Sequence, residues 1–214
     1  MLLATLSFIS LIFLFSCNTA FAKEASFSAT SSAKMQPTGN DIGVSKITPA
    51  SFFYFLKTVR EGIELKLAFT PHVKLIRQLE FATRRLREVK SLIPTNHQDL
   101  IQSTLERYWF HMSFLPQKDL NDLEVATRIK ESLVVHLEVL QQIYPSVSNK
   151  SAKMAIRTAI NRIVQRADLP KLDRIAACNF LVKVASSSSM LNDSEQVILE
   201  NRAENCFQLL DNSL

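Results

Sequence analysis

Glycine is so scarce in this chain that few fold classes remain open to it. The sequence has only 3 glycines in 214 residues, and Gly39 and Gly43 both lie near the N-terminus. Strand-rich proteins need glycine for hairpin turns, and phosphate-binding folds need it for their loops. Leucine, alanine, glutamate, lysine and arginine supply much of the rest, which favours helices. We therefore predict an all-α protein.

Apolar residues at helical spacing, with breaks at proline and polar clusters, indicate the positions of the helices. Ser51 is a predicted cap for the first helix, and Thr70 followed by Pro71 is typical of the start of the second. We predict an antiparallel bundle of six or seven helices with short loops. The predicted ranges are 51–69, 71–92, 98–114, 119–144, 150–166, 170–185 and 194–210.

The first 22 residues resemble a secretory signal peptide. They carry no charged side chain, are apolar from Leu6 to Phe15, and end in Ala20-Phe21-Ala22. This pattern predicts export, to the periplasm, the outer face of the membrane or the medium. Three fates of the segment stay open: cleavage after Ala22, lipidation at Cys17, which follows a lipobox-like Leu-Phe-Ser, or retention as an anchor.

The segment after this start changes in composition. Residues 23–47 are rich in serine, alanine and threonine without periodicity, which predicts a flexible leader that is dispensable for folding. Residues 48–214 are predicted to form one all-α domain. Their length suits a single domain of ordinary size.

Basic side chains concentrate on the second predicted helix. Arg77, Arg84 and Arg85 could contact anionic phospholipid or a cell-wall polymer. Glu80 and Glu88 are interleaved with them, so internal ion pairs at a spacing of four residues, such as Glu80 with Arg84, are the alternative. The formal charge of +5 is modest for a nucleic-acid-binding protein, and no nucleic-acid partner is expected.

No constellation of residues indicates catalysis. The four histidines are scattered, none is spaced for a zinc site, and nucleophile-elbow, phosphate-loop and dinucleotide motifs are missing from the sequence. We expect no catalytic residue, no metal and no cofactor. His136, flanked by apolar residues, is predicted to be a core histidine.

An aromatic block ends the third predicted helix. Trp109, Met112 and Phe114 could line a partner groove or a ligand pocket. The same spacing is also typical of a helix buried on two sides, so core packing is the alternative.

Three segments resemble one known family. They are residues 51–57 (SFFYFLK), 64–71 (ELKLAFTP) and 79–86 (LEFATRRL), and residues 49–145 as a whole are similar to the bacterial domain-of-unknown-function family 5667. The resemblance implies an exported or membrane-tethered helical domain without known catalytic residues. The sequence departs from the family pattern at Phe52, where proline is frequent, and at His72, where an acidic residue is common.

Two cysteines remain if the first 22 residues are removed. Cys178 and Cys206 form an even pair, which permits a disulfide in an exported protein. In a simple hairpin the two would lie about one helical turn out of register. Both a bond and two buried free thiols are therefore open.

These observations favour a non-enzymatic helical interaction domain of the bacterial cell envelope. The alternative is a small apolar-ligand or lipid-binding helical bundle. An envelope protein or polymer is the expected partner. We expect a monomer that contacts a membrane only through an uncleaved or lipidated N-terminus.

Overall fold

All regular secondary structure in the described residues of the computed structural model is helical. The structure describes residues 41–117, 121–187, 196–198, 200–201, 204–206 and 208. Within these ranges there is no β-strand, and the helices pack against one another. The all-α prediction is confirmed. The predicted signal peptide, most of the predicted leader, residues 119–120 of the fourth predicted helix and parts of the seventh lie outside the described residues.

The helices of the described residues follow the predicted order closely. Further helical residues occur at 196–198, 200–201, 204–206 and 208, within the seventh predicted range. Short 3₁₀ turns at Gln98–Leu100 and Tyr144–Ser146 flank two of the longer elements. The α-helices are α1 Tyr54–Lys66, α2 Pro71–Leu92, α3 Ile101–Ser113, α4 Leu123–Ile143, α5 Lys150–Val164 and α6 Lys171–Ser187.

Side-chain caps fix the starts of three helices. The hydroxyl of Thr70 accepts a hydrogen bond from the backbone N–H of Val73 at 3.2 Å, and Pro71 occupies the first position of α2, as predicted. Asp122 and Asn149 cap α4 and α5 in the same way. Each cap satisfies a backbone donor that the first helical turn leaves unpaired.

The first helix is shorter than predicted at both ends. The hydroxyl of Ser51 accepts from the N–H of Phe53 at 3.3 Å in a turn before the helix, and α1 begins only at Tyr54. At its other end α1 stops at Lys66. A proline disfavours helical backbone in the residue that precedes it, so Thr70-Pro71 forces a break before α2.

The core lies between α2 and the helices that follow it. Leu79, Ala82, Leu86 and Val89 form an apolar seam along α2, and all four are buried. They belong to one cluster that includes residues of α3, α4, α5 and α6. Burial of these side chains is the main source of stability in this part of the molecule.

His136 of α4 is a polar member of this core, as the sequence predicts. Its two ring nitrogens lie 2.9 Å from the hydroxyl of Thr83 and 3.3 Å from the hydroxyl of Tyr108. Complete burial lowers the pKa of His136 to about 3. The imidazole is therefore neutral in the folded protein at ordinary pH.

The end of the predicted leader is docked, which differs from the sequence-based expectation. Asp41 bonds the ammonium of Lys90 at 2.5 Å, and the backbone N–H of Ser45 donates to the hydroxyl of Ser91 at 2.8 Å. Ile42 packs against the core. Residues 41–47 thus make polar contacts with α2 and an apolar contact with the core.

A disulfide ties α6 to the last helical residues. Cys178 and Cys206 are bonded, their Cα atoms lie 5.7 Å apart, and both are buried. This separation is ordinary for a disulfide. The bond that the sequence left open is present, and the mismatch expected for a simple hairpin is absorbed.

Candidate functional site

The α1 helix turns its apolar face away from the protein. Large apolar side chains on and beside it are 43–93% exposed. Soluble proteins rarely leave so many large apolar groups together at the surface, and such patches mark interaction sites. We call this set the outer face of α1: Phe52, Phe53, Phe55, Leu56, Val59, Ile63, Leu67 and Phe69.

The opposite side of α1 is polar and faces α2. Tyr54, Lys57 and Glu61 follow one another at helical spacing, so they share one side of the helix. Glu61 is buried and the other two are half-buried. The sequence shows the amphipathic spacing clearly, but the spacing alone does not say which side faces inward.

A buried set of charges joins α1 to α2. Glu88 of α2 accepts from the ammonium of Lys57 at 2.5 Å and from the guanidinium of Arg85 at 3.0 Å. Arg85 also pairs with Glu61. The hydroxyl of Tyr54 donates to Glu88 at 3.0 Å. These five residues are named the α1 ion cluster below.

The protein interior raises the pKa of two groups of this cluster, Glu88 and Tyr54. Burial raises the pKa of Glu88, and Arg85 and Lys57 oppose that rise. Burial likewise raises the pKa of Tyr54, with the Glu88 carboxylate acting in the same direction. Arg85 and Glu88 have side-chain exposures of 2% and 0%, so their charges depend on each other for compensation.

The predicted basic stretch on α2 is largely occupied by ion pairs. Arg84 bonds Glu64 of α1 at 3.1 Å, and Arg77 bonds Glu80 at 2.6 Å. The predicted pairing of Arg84 with Glu80 or Glu88 is wrong, because α1 brings Glu64 within reach. Arg85 is buried, so it cannot belong to a surface that contacts lipid or polymer.

A groove runs between residues 44–47 and α1. Its volume is about 610 Å³. Apolar side chains of Val44, Ile47, Phe53 and Leu56 line it and are exposed. The groove continues the outer face of α1 toward the end of the predicted leader. Basic side chains also line it: Lys46, Lys57, Arg60, Arg84 and Arg87.

The three candidates of the aromatic block do not form one surface. Met112 is buried and packs in the core, which contradicts a surface role for it, whereas Phe114 is half exposed and contacts the ring of Phe110. Trp109 is partly buried and lines a separate cleft of about 550 Å³ between α3 and α5. The guanidinium of Arg162 lies 5.3 Å from its ring.

The described residues contain no group of three or more histidine, cysteine, aspartate or glutamate side chains that could hold a metal ion. His72, one of the departures from the family pattern, lies 2.5 Å from the carboxylate of Asp122.

Of the helices in the described part of the chain, none combines the length and apolar character needed to cross a membrane.

The family model described as Domain of unknown function (DUF5667) matches residues 46–150. These residues are a DUF5667 domain. The match confirms the resemblance drawn from residues 49–145. No curated protein and no solved structure matches the chain.

The DUF5667 domain spans α1 to the start of α5, so it includes the outer face, the α1 ion cluster and the groove apart from Val44 and Ser45. The disulfide lies beyond it. The residues of the outer face have no functional role predicted from the sequence, because helical spacing of apolar residues indicates only that a helix is present. The dense run Phe52-Phe53-Tyr54-Phe55 was the signal that could have drawn attention to them.

Proposed function

We propose that this protein is a non-enzymatic helical interaction domain of the bacterial cell envelope, with the outer face of α1 as its docking surface. The observation that carries the proposal is the orientation of α1, whose large apolar side chains are exposed while Glu61 is buried. A free surface of this kind gains stability when a partner covers it.

Two further observations support this assignment. The charge-free, apolar start of the sequence supports export, where an envelope protein or polymer is the expected partner. The α1 ion cluster pairs each of its carboxylates with a cation, and these pairs join α1 to α2. That arrangement suits a structural role and assigns no residue to catalysis or to a cofactor.

Carbene footprinting with mass spectrometry tests the docking role. The full-length protein would be labelled in isolated envelopes of its source cell and, separately, after purification. Phe55 and Leu56 should lose most of their labelling in the envelopes because a partner covers them. Leu123 and Leu172, which are both 80% exposed and lie on α4 and α6, serve as controls and should keep theirs. Equal labelling of Phe55 in both samples would reject the docking role.

The cleft beside Trp109 favours a second candidate function, the binding of a small apolar ligand. Leu105, Met154 and Ala155 contribute apolar lining, and Arg162 lies at the Trp109 ring. This arrangement suits an amphiphile with an anionic group. The pocket differs from the one predicted, because Met112 and Phe114 do not line it.

Fluorescence tests this second function, because Trp109 is the only tryptophan. Palmitate should shift the emission of the full-length protein in a saturable way. Ala155→Phe, which fills the cleft, should abolish the shift, and Leu123→Phe on a distant surface should not. A saturable shift that Ala155→Phe leaves intact would exclude this cleft, and no shift would exclude palmitate as its ligand.

A further inference from the structure

We infer that the outer face of α1, together with the adjoining groove, docks on the surface of an anionic phospholipid bilayer. This inference rests on the proposed function and names the partner. It differs from the sequence-based expectations, in which the N-terminus or the basic side chains of α2 contact lipid. The argument starts from the way α1 divides its charges between its two sides.

The acidic side chains of α1 are turned inward, whereas two of its three basic side chains, Arg60 and Lys66, are exposed. Glu61 is buried, and Glu64 is only 19% exposed and bonds Arg84. By contrast, Arg60 is 77% exposed and Lys66 is exposed. The solvent side of α1 therefore combines aromatic and aliphatic groups with positive charge. That combination is typical of a helix lying in the plane of a membrane interface.

The groove adds charge beside the apolar surface. Lys46, Arg60 and Arg87 line it and are exposed. Arg60 bonds Glu64 through Nε, and Arg87 bonds the carbonyl of Ile42 through Nε. Each guanidinium has further N–H groups that suit a phosphate. The apolar walls formed by Val44 and Leu56 would meet the first carbons of an acyl chain.

A bilayer fits this surface better than a second copy of the chain. The exposed Lys46, Arg60 and Arg87 beside the outer face are called the basic rim. Two outer faces brought together would place their basic rims against each other, and like charges oppose association. An anionic surface instead neutralises both rims, and the apolar side chains can enter the boundary between headgroups and acyl chains. Complementary charge thus selects the lipid surface.

The length of chain between the apolar start of the sequence and the described residues is compatible with this partner. Residues 23–40 separate that start from Asp41, whose carboxylate bonds Lys90 on α2. Even a fully extended chain of this length spans only about 60 Å. If residues 1–22 stay in the membrane, α1 cannot move farther away than such a tether permits.

Quenching of a single tryptophan by brominated lipid tests the inference in the full-length chain. The reporter protein carries Phe55→Trp and Trp109→Phe, and a control protein carries Leu172→Trp and Trp109→Phe. With vesicles of brominated phosphatidylglycerol, Trp at position 55 should shift to the blue and lose at least half of its emission. Trp at position 172 should change little. The comparison is independent of how the N-terminus binds, because both proteins contain it.

A charge-reversal pair tests the basic rim. Lys46→Glu with Arg60→Glu should reduce quenching at position 55 at least threefold. Lys130→Glu with Lys171→Glu changes the net charge equally on exposed positions elsewhere and should leave the quenching unchanged. Brominated phosphatidylcholine, which has no net charge, should quench position 55 much less than phosphatidylglycerol does.

The outcomes separate this inference from the proposed function. Equal quenching at positions 55 and 172, or equal quenching by the two lipids, would overturn the inference. A blue shift at position 55 that grows with protein concentration without lipid would also overturn it, in favour of self-association. If Phe55 and Leu56 are nevertheless protected in envelopes, the docking role stands and its partner is a protein or a polymer.

Discussion

The α1–α2 interface and the core are held together by different kinds of contact. In the core, the seam of α2 buries leucine, alanine and valine against α3 and α4. At α1, buried Arg85, Glu88 and Glu61 make the contact, and phenylalanine and leucine face solvent. The same chain thus uses apolar burial for one contact and ion pairing for the next.

This difference shows that amphipathic spacing does not by itself orient a helix. Apolar burial is non-directional and tolerates small shifts. Buried ion pairs require defined geometry, and loss of one partner leaves an unpaired buried charge that destabilises the folded state. The core can therefore carry the general stability of the domain. The α1 ion cluster determines which side of α1 faces outward.

The largest expected effect comes from a substitution that breaks the α1 ion cluster. Glu88→Ala leaves Arg85 and Lys57 without their shared carboxylate, so we expect the free energy of unfolding to fall by about 3–5 kcal/mol. Urea denaturation measures the change. Glu80→Ala is the control, because its pair with Arg77 is exposed to solvent and should contribute only about 0–1 kcal/mol. Equal effects would show that the cluster is not the anchor of α1.

The disulfide extends the comparison to a third kind of contact, a covalent one. Cys178→Ala with Cys206→Ala opens a loop of 28 residues, and we expect a loss of about 3–4 kcal/mol by loop-closure entropy. Thermal and urea unfolding of the oxidised protein and the variant would measure it. Alkylation of both cysteines in denatured, unreduced protein would contradict the bond itself.

The two regions should respond to pH with opposite signs. His136 has a pKa of about 3 when folded, against an ordinary value of 6.5. Below about pH 6.5 the unfolded chain gains a proton that the folded chain lacks. Stability should therefore fall by up to about 1.4 kcal/mol per unit of decreasing pH.

Glu88 acts in the other direction, because its raised pKa lets the folded chain keep a proton to a higher pH than the unfolded chain does. Its contribution to stability is present at low pH and is lost as pH rises through the folded pKa. Urea unfolding between pH 4.5 and 7.5, compared with His136→Gln, isolates the histidine. A His136→Gln variant with the same slope as the wild type would refute this origin of the pH dependence.

The smallest expected effect comes from comparing one buried and one exposed isoleucine. Ile160→Val removes a methyl group from the buried side of α5 and should cost about 0.5–1.5 kcal/mol. Ile63→Val removes the same group from the exposed outer face of α1 and should stay within about 0.5 kcal/mol of the wild type. A clear loss at Ile63 would mean that the outer face is covered in the isolated protein.

Much of the fold could be predicted from local signals. Thr70-Pro71 and the seam of α2 fixed the second helix, because capping and periodicity act within a few residues. Cys178 and Cys206 could be suggested as a pair, but their bond depended on how α6 and the last helical residues approach each other.

The candidate site could be predicted only in part, since it depends on contacts distant in sequence. The sequence shows that Arg84 and Arg85 are basic residues with acids nearby, yet their partners Glu64 and Glu61 lie on another helix. The exposure of Phe55 follows from those pairings. No local pattern could reveal that the polar side of α1 would be the buried one.

The docking of residues 41–47 has a mechanical consequence. Among the described residues, tension from the N-terminal side would load the bond of Asp41 to Lys90 and the bond between Ser45 and Ser91. These contacts precede α1 in the chain and would therefore carry the load before the backbone of α1 does. Tension at this end of the described chain would therefore be borne by these bonds together with the packing of Ile42 against the core.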